Sequence, residues 1–255
     1  MNRPLVIKLG GKALEGAQAL EELARALKGH TAVLVHGGGH EVTAWSEKLG
    51  LAPRFEGGRR ITDAPTLEVA VAVLAGLANK RLVAALRAHG VDAIGLSALD
   101  GIATVEKVDS LGEVGTVTAI DPSLLRGLLE CGRVPVLASI GQEAGALLNV
   151  NADDFAAALA PALKARALVL LSDTPGLKLK GEVVKEVASG DIDPLLQGPE
   201  VTGGMGPKLE AARAATQSGA CETAYIAQWS GADTLTALLE GKGTGTKVAE
   251  GVAHD

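Results

Sequence analysis

Leu5-Val6-Ile7-Lys8-Leu9-Gly10-Gly11 is the stretch on which the fold reading turns. Five residues, four of them apolar, suit a strand buried on both faces, and two glycines stop it at once. The pattern recurs: Thr31–Val35 runs into His36-Gly37-Gly38-Gly39, and Ala167–Ser172 into Asp173-Thr174-Pro175-Gly176. Helical stretches lie between. Leu20, Leu23, Ala24 and Leu27 share one face ahead of Gly29, and a second helix from about Glu41 to Leu49 stops at Gly50. Strand, glycine turn and helix in alternation predict an α/β fold, a three-layer αβα sandwich around a mostly parallel central sheet.

Further out, Pro53 to Asp63 reads as a polar connection and Pro65 as the first turn of a long helix reaching Ala88. That helix is apolar around its whole circumference up to Asn79, which favours a subunit interface. Ile102–Val108 and Gly115–Ala119 suit a hairpin, Glu143–Asn149 a loop and Ala152–Leu163 a helix. A helix runs from about Gly206 to Gln217 with Pro207 in its first turn, and Thr246–Val248 reads as an edge strand. The expectation is two lobes, residues 1–165 and 166–255, on one continuous sheet.

Composition narrows the function. Glycine makes up 33 of 255 residues, about 13% against an average near 7%. The net charge of −6 and the five aromatic residues argue against nucleic acid and anionic membranes, which want clustered cations or stacking platforms. No apolar run of ~18 residues stands out, and the short apolar N-terminus is no signal peptide. Cys131 and Cys221 lack metal or redox spacing and read as buried small hydrophobes of a cytoplasmic protein.

A glycine turn between a strand's end and a helix's start makes an anion site, because backbone N–H groups can approach the ligand and the helix dipole adds roughly half a positive charge. Three such turns suggest a multiply charged ligand, a nucleotide plus an acid. The Walker pattern fails, since Gly11-Lys12 is followed by Ala13, and G-x-G-x-x-G after a strand is absent. Lys8, set in an otherwise apolar strand, is expensive to bury without an anionic partner. An edge lysine reaching outward is the competing reading, and Gly10-Gly11 favours a functional one. Asn149-Val150-Asn151-Ala152-Asp153 opens a helix, where Asn151 suits a cap and Asp153 a first-turn acid. In Gly203-Gly204-Met205-Gly206-Pro207-Lys208, a lysine in a helix's first turn opposes the dipole and needs an explanation. Arg60, read alone, suits an exposed loop.

Taken in order with Gly58-Arg59-Arg60-Ile61-Thr62, Ala78-Asn79-Lys80 and Gly95-Leu96-Ser97, these segments resemble the amino-acid kinase superfamily, with its carbamate-kinase-like fold. The Gly-Arg-Ile-Thr and Asn-Val-Asn-Ala-Asp pieces resemble its acetylglutamate kinase branch. The resemblance implies that MgATP phosphorylates the side-chain carboxylate of N-acetyl-L-glutamate, the second step of arginine biosynthesis. It implies Lys8 and Lys208 as cations on the transferring phosphoryl group and Asp153 as the acid holding both. Gly10, Gly11, Gly38 and Gly39 would supply backbone donors, the last two also touching substrate. Arg60 would clamp a substrate carboxylate and Asn149 the acetylamino group. Asp173, Thr174, Pro175, Gly176, Leu177 and Lys178, with Glu200, Val201 and Thr202, would form the ATP site. Mg²⁺ would be held by phosphates and water, with no protein metal site.

The resemblance also frames the alternatives. Arginine-inhibited hexameric members carry an extra N-terminal helix that this chain lacks, so a homodimer insensitive to arginine is expected. Kinases acting on carrier-protein-bound aminoadipate or glutamate have a longer loop before the Arg-x-Thr piece. The short Phe55-Glu56-Gly57-Gly58 favours a free small substrate. The lack of an appended regulatory domain disfavours aspartokinase and many glutamate 5-kinases. Carbamate kinase and UMP kinase are further rivals, as is a nucleotide-sensing protein that has lost catalysis.

Overall fold

The computed structural model describes residues 3–10 and 16–251. Strand β1 (Leu5–Leu9) lies at the centre of an eight-stranded sheet. On one side it pairs in parallel with β2 (Ala32–His36), followed by β8 (Val134–Ala138) and β5 (Ala93–Ser97). On the other it pairs with β11 (Ala167–Ser172), followed by β15 (Thr223–Gln228), β16 (Thr246–Ala249) and β14 (Glu186–Ala188). Only the β15–β16 junction is antiparallel. β16 is therefore an inner strand rather than an edge, because β14 pairs along its outer side.

Alternation along β1 decides which side chain meets which layer. Leu5, Ile7 and Leu9 join a core built with α1 (Ala17–Ala26), α4 (Asn79–Ala88) and α9 (Thr234–Leu239). Val6 faces the opposite core, with α5 (Ser123–Glu130), α6 (Ala152–Ala162) and α8 (Met205–Thr216). Lys8 shares the parity of Val6, so it points towards α6 and α8. The expected three-layer sandwich and mostly parallel sheet are found.

Three segments differ from the sequence expectation. The polar connection at 53–63 is a hairpin, β3 (Arg54–Glu56) and β4 (Arg59–Ile61), closed by Gly57 and Gly58 at φ 56° and 79°. Positive φ at both turn positions matches the twist of the flanking strands, and glycine adopts it without strain. The expected loop at 143–149 is also a hairpin, β9 (Ile140–Glu143) and β10 (Ala146–Val150), turned by Ala144 and Gly145. It completes a separate four-stranded sheet with the expected pair β6 (Ala103–Lys107) and β7 (Val114–Ile120). The long helix is three segments: α3 (Ala64–Val71), a π-helical stretch (Ala72–Ala78) and α4. Its 25 residues, Ala64–Ala88, are long and apolar enough to cross a membrane by length and composition. In the fold its buried face packs on α2 (Gly39–Lys48) and on Ala138 and Ile140. Cys221 is buried as expected, but Cys131, just past α5, is exposed.

Candidate functional site

β1 has neighbours reached by the chain in opposite directions, so a crevice opens beyond its C-terminal end, where ligands of open α/β sheets bind. Gly10, Gly37–Gly39, Ser139 and the start of α6 line a cleft of about 370 Å³ there.

Its floor is an ion triad. Lys8 Nζ lies 2.8 Å from Asp153 Oδ1, and Lys208 Nζ donates to Asp153 Oδ2 at 3.0 Å. Asn151 is the N-cap of α6 and accepts from the N–H of Asp153 and of Asp154, which fixes Asp153 in the first turn. The structural reading of Asn151 thus holds. Helix α8 starts at Met205, close to the expected Gly206, and places Lys208 against α6. Burial pushes the Asp153 carboxyl up, but Lys8 and Lys208 outweigh it and hold the group below the usual carboxylate range. Burial pushes the Lys8 ammonium down, and the pull of Asp153 restores only part of this. Within the triad two cations face one carboxylate, an excess of positive charge that favours an anion.

Two glycines clear space for that anion. A Cβ on Gly10 would sit 2.8 Å from Lys8 Nζ and from the Leu171 carbonyl oxygen. A Cβ on Gly38, at φ 154°, would sit 2.7 Å from Leu74. Gly38 is the N-cap of α2 and Gly39 its first residue, so their backbone borders the cleft at a helix N-terminus. Gly11 lies outside the described residues.

The opposite wall comes from the β3–β4 hairpin. Arg60 is buried rather than an exposed loop arginine. Its Nη2 donates to the Gly39 carbonyl (2.8 Å) and to Thr43 Oγ1 (2.6 Å), and its guanidinium stacks 4.7 Å from the Phe55 ring centroid. Burial lowers its pKa. Nη1 finds no acceptor among the described residues. A buried donor left unpaired in this way suits a ligand carboxylate. Asn149 lines the cleft from β10 and donates from Nδ2 to Thr62 Oγ1 at 3.2 Å.

The second group of expected residues follows β11. Asp173 is near enough to act on the charge of Lys8. Thr174 bonds back to Ser172, and Gly176 crowds against Thr246. Leu177 is core, its N–H donated to Thr246 Oγ1, so its side chain offers nothing to a ligand. Lys178 stands exposed in β12 (Lys178–Leu179). Glu200 Oε1 accepts from the Lys180 N–H (2.6 Å), and Met205 N–H reaches the Thr202 carbonyl. Val201 lies 3.8 Å from the Cβ position of Gly206. The segments 173–180 and 200–202 are thus joined to each other and to the start of α8, outside the 370 Å³ cleft. Among the described residues, no three His, Cys, Asp or Glu side chains converge as a metal site.

Sequence reasoning missed a buried network behind the glycine loop. The Asn79 amide donates to His36 Nε2 (3.1 Å) and to the Val136 carbonyl (2.9 Å). The imidazole therefore donates from Nδ1 to the Gly37 carbonyl at 2.8 Å. Burial keeps His36 neutral. The signal was present, since His36 and Asn79 both interrupt apolar segments, but nothing in the sequence pairs them.

Comparisons with known proteins identify the family. The amino acid kinase family model matches residues 3–227. An acetylglutamate kinase of Methanopyrus kandleri is 45% identical over 254 residues, covering 94% of this chain and 98% of that protein. One of Rubrobacter xylanophilus is 41% identical, covering 97% and 98%. Among solved structures, carbamate kinase from Giardia lamblia bound to AMP-PNP shares the fold, with TM-score 0.71, 17% identity and coverage of 98% and 99%. The N-acetylglutamate synthase of Neisseria gonorrhoeae, complexed with coenzyme A and N-acetyl-glutamate, aligns at TM-score 0.82 and 24% identity over 98% of this chain and 60% of that one. With a buried Lys–Asp–Lys triad at the switch point of a parallel sheet and relatives that match it nearly end to end, the chain belongs to the amino acid kinase family, in its acetylglutamate kinase branch.

Proposed function

We propose that this chain transfers the γ-phosphoryl group of MgATP to the side-chain carboxylate of N-acetyl-L-glutamate, giving N-acetyl-L-glutamyl 5-phosphate for arginine biosynthesis. The observation that carries this is the triad Lys8–Asp153–Lys208 facing an arginine with a free buried donor across one cleft. A carboxylate acceptor is already an ionised nucleophile, so no general base is needed. The barrier lies in bringing two anions together and spreading charge over the transferring oxygens. Lys8 supplies charge from β1 and Lys208 from α8, and Asp153 keeps both ammonium groups in place. Gly10, Gly38 and Gly39 admit the phosphoryl oxygens to backbone N–H groups. Arg60 holds the acceptor's main carboxylate and Asn149 its acetylamino group.

ATP lies along the C-terminal lobe, 166–255, against Asp173–Lys178 and Glu200–Thr202. Residues 1–165 hold the acceptor. Because Asp153 is committed to two lysines and no carboxylate cluster is present among the described residues, the residues fit a Mg²⁺ carried by the nucleotide phosphates. Acyl phosphate trapping by hydroxylamine tests the reading directly. With ATP and Mg²⁺, hydroxamate forms from N-acetylglutamate and stays at background with glutamate, aspartate or an aminoadipate-loaded carrier. Background signal with N-acetylglutamate would refute it.

The chain also associates as a homodimer in this reading. A mostly apolar groove lined by Trp45, Leu49, Val69, Ala72, Val73 and Leu77, with Glu68 as its one charged residue, runs along α2 and the 64–88 helix, with Trp45 and Leu49 exposed. Such a patch marks an interface. Light scattering on the chain is expected to give twice the 25.8 kDa chain mass. A monomer mass at tens of micromolar would contradict it.

A further inference from the structure

We infer that Arg59 is a positioning residue: its ion pair with Asp154 pins the β3–β4 hairpin to the first turn of α6 and thereby aims Arg60 into the cleft. The inference rests on the cleft being the acceptor site. A hairpin of three residues a side cannot hold itself in place. Its base is tied, since Thr62 N–H donates to the Leu111 carbonyl and Glu113 N–H to the Thr62 carbonyl. β3 is exposed along its length. Near the tip, the polar tie to α6 is Arg59 Nη2 to Asp154 Oδ2 at 2.8 Å, beside an apolar approach of Gly58 to Pro207 of α8.

Adjacent residues of a strand point to opposite faces. Arg60 turns to Gly39 and Thr43, and Arg59 turns to α6. One three-residue strand therefore fastens the acceptor clamp to the helix turn that carries Asp153. Asp154 also depends on the pair. Burial pushes its carboxyl up, Arg59 pulls it down, and Asp153 and Glu210 add like charge. Without Arg59 that carboxylate is left beside two others, and the hairpin loses its polar tie to α6.

The test uses Arg59→Met, Arg59→Lys, Asp154→Asn and the double variant Arg59→Met/Asp154→Asn. In Arg59→Met, KM for N-acetylglutamate is expected to rise about fivefold while KM for ATP stays within about twofold. The contact is monodentate, so Arg59→Lys restores most of the affinity. Asp154→Asn raises the same KM, and the double variant is no worse than either single change. Hydrogen exchange of the 54–61 amides, which needs no substrate, is faster in Arg59→Met. An unchanged exchange rate, an unchanged acceptor KM, or effects of the two substitutions that add would overturn the inference. If the unaltered chain phosphorylates nothing, the functional reading fails, and the exchange rates alone decide for or against the anchor.

Discussion

Lys8→Met is expected to abolish most activity while leaving the protein as stable as before, or more so. The two halves have one physical origin. Lys8 is buried in β1 and its ammonium is disfavoured there, since burial lowers its pKa despite Asp153 at 2.8 Å. Methionine has similar volume and no charge to desolvate. Removing one member of a buried ion pair is costly because it strands the partner's charge, and that cost does not arise where the partner keeps another counter-charge. Asp153 keeps one, because Lys208 still donates to Oδ2 at 3.0 Å. Catalysis has no such substitute. The ammonium acts on charge that develops as the phosphoryl group moves, and removing one preorganised donor of this kind costs about 10²–10³-fold in kcat, roughly 3–4 kcal/mol. KM for both substrates changes little, because the interaction strengthens in the transition state. Steady-state kinetics and a thermal melt on the same preparation check both halves. A kcat within about threefold of the unaltered enzyme would remove Lys8 from the mechanism.

The features legible in the sequence are those that a local pattern encodes. β1 is found at Leu5–Leu9, with Lys8 as its one charged residue, and its parity with Val6 fixes the face on which a partner must lie. Glycine turns after β1, β2 and β11 marked the strand ends that form the crevice. Gly57-Gly58 was a turn signal too, but Arg54-Phe55-Glu56 and Arg59-Arg60-Ile61 are polar and short, so neither flank reads as a strand. At 144–145 even the turn signal was weak, since Ala144 takes a positive φ that glycine or asparagine usually supplies. The π-helical stretch has no local sequence signal. Leu74 meets Gly38 and Asn79 meets His36, and one continuous α-helix was the simplest local reading. Pairings across the fold, such as Arg59 with Asp154 at a separation of 95 residues, leave no local trace.

Asp153→Asn is the opposite experiment to Lys8→Met, since it removes the counter-charge and leaves both cations. Lys8 then sits in the core without its Asp153 ion pair, with the weaker pull of Asp173 left to it, and Lys208, at 14% side-chain exposure, is little better solvated. Breaking a buried pair by deleting one partner costs about 3–5 kcal/mol, because the surviving charge remains desolvated. Activity falls with stability, since neither ammonium is held at the phosphoryl position. The pH dependence separates this account from a packing defect. In the unaltered protein the Asp153 carboxyl is held below its ordinary value near 3.9. Its contribution is therefore present above about pH 4 and is lost as pH falls through the lower folded value. In Asp153→Asn that contribution is absent, and Lys8, already depressed in the unaltered protein, loses the opposing pull of Asp153 and falls further. The folded state binds fewer protons than the unfolded lysine, whose pKa is about 10.4, so stability rises as pH approaches that value. Melting temperatures measured from pH 6 to pH 10 are thus expected to converge, with the variant gaining on the unaltered protein as pH rises. A gap of constant size across that range would mean that lost packing, and not an uncompensated buried cation, sets the cost.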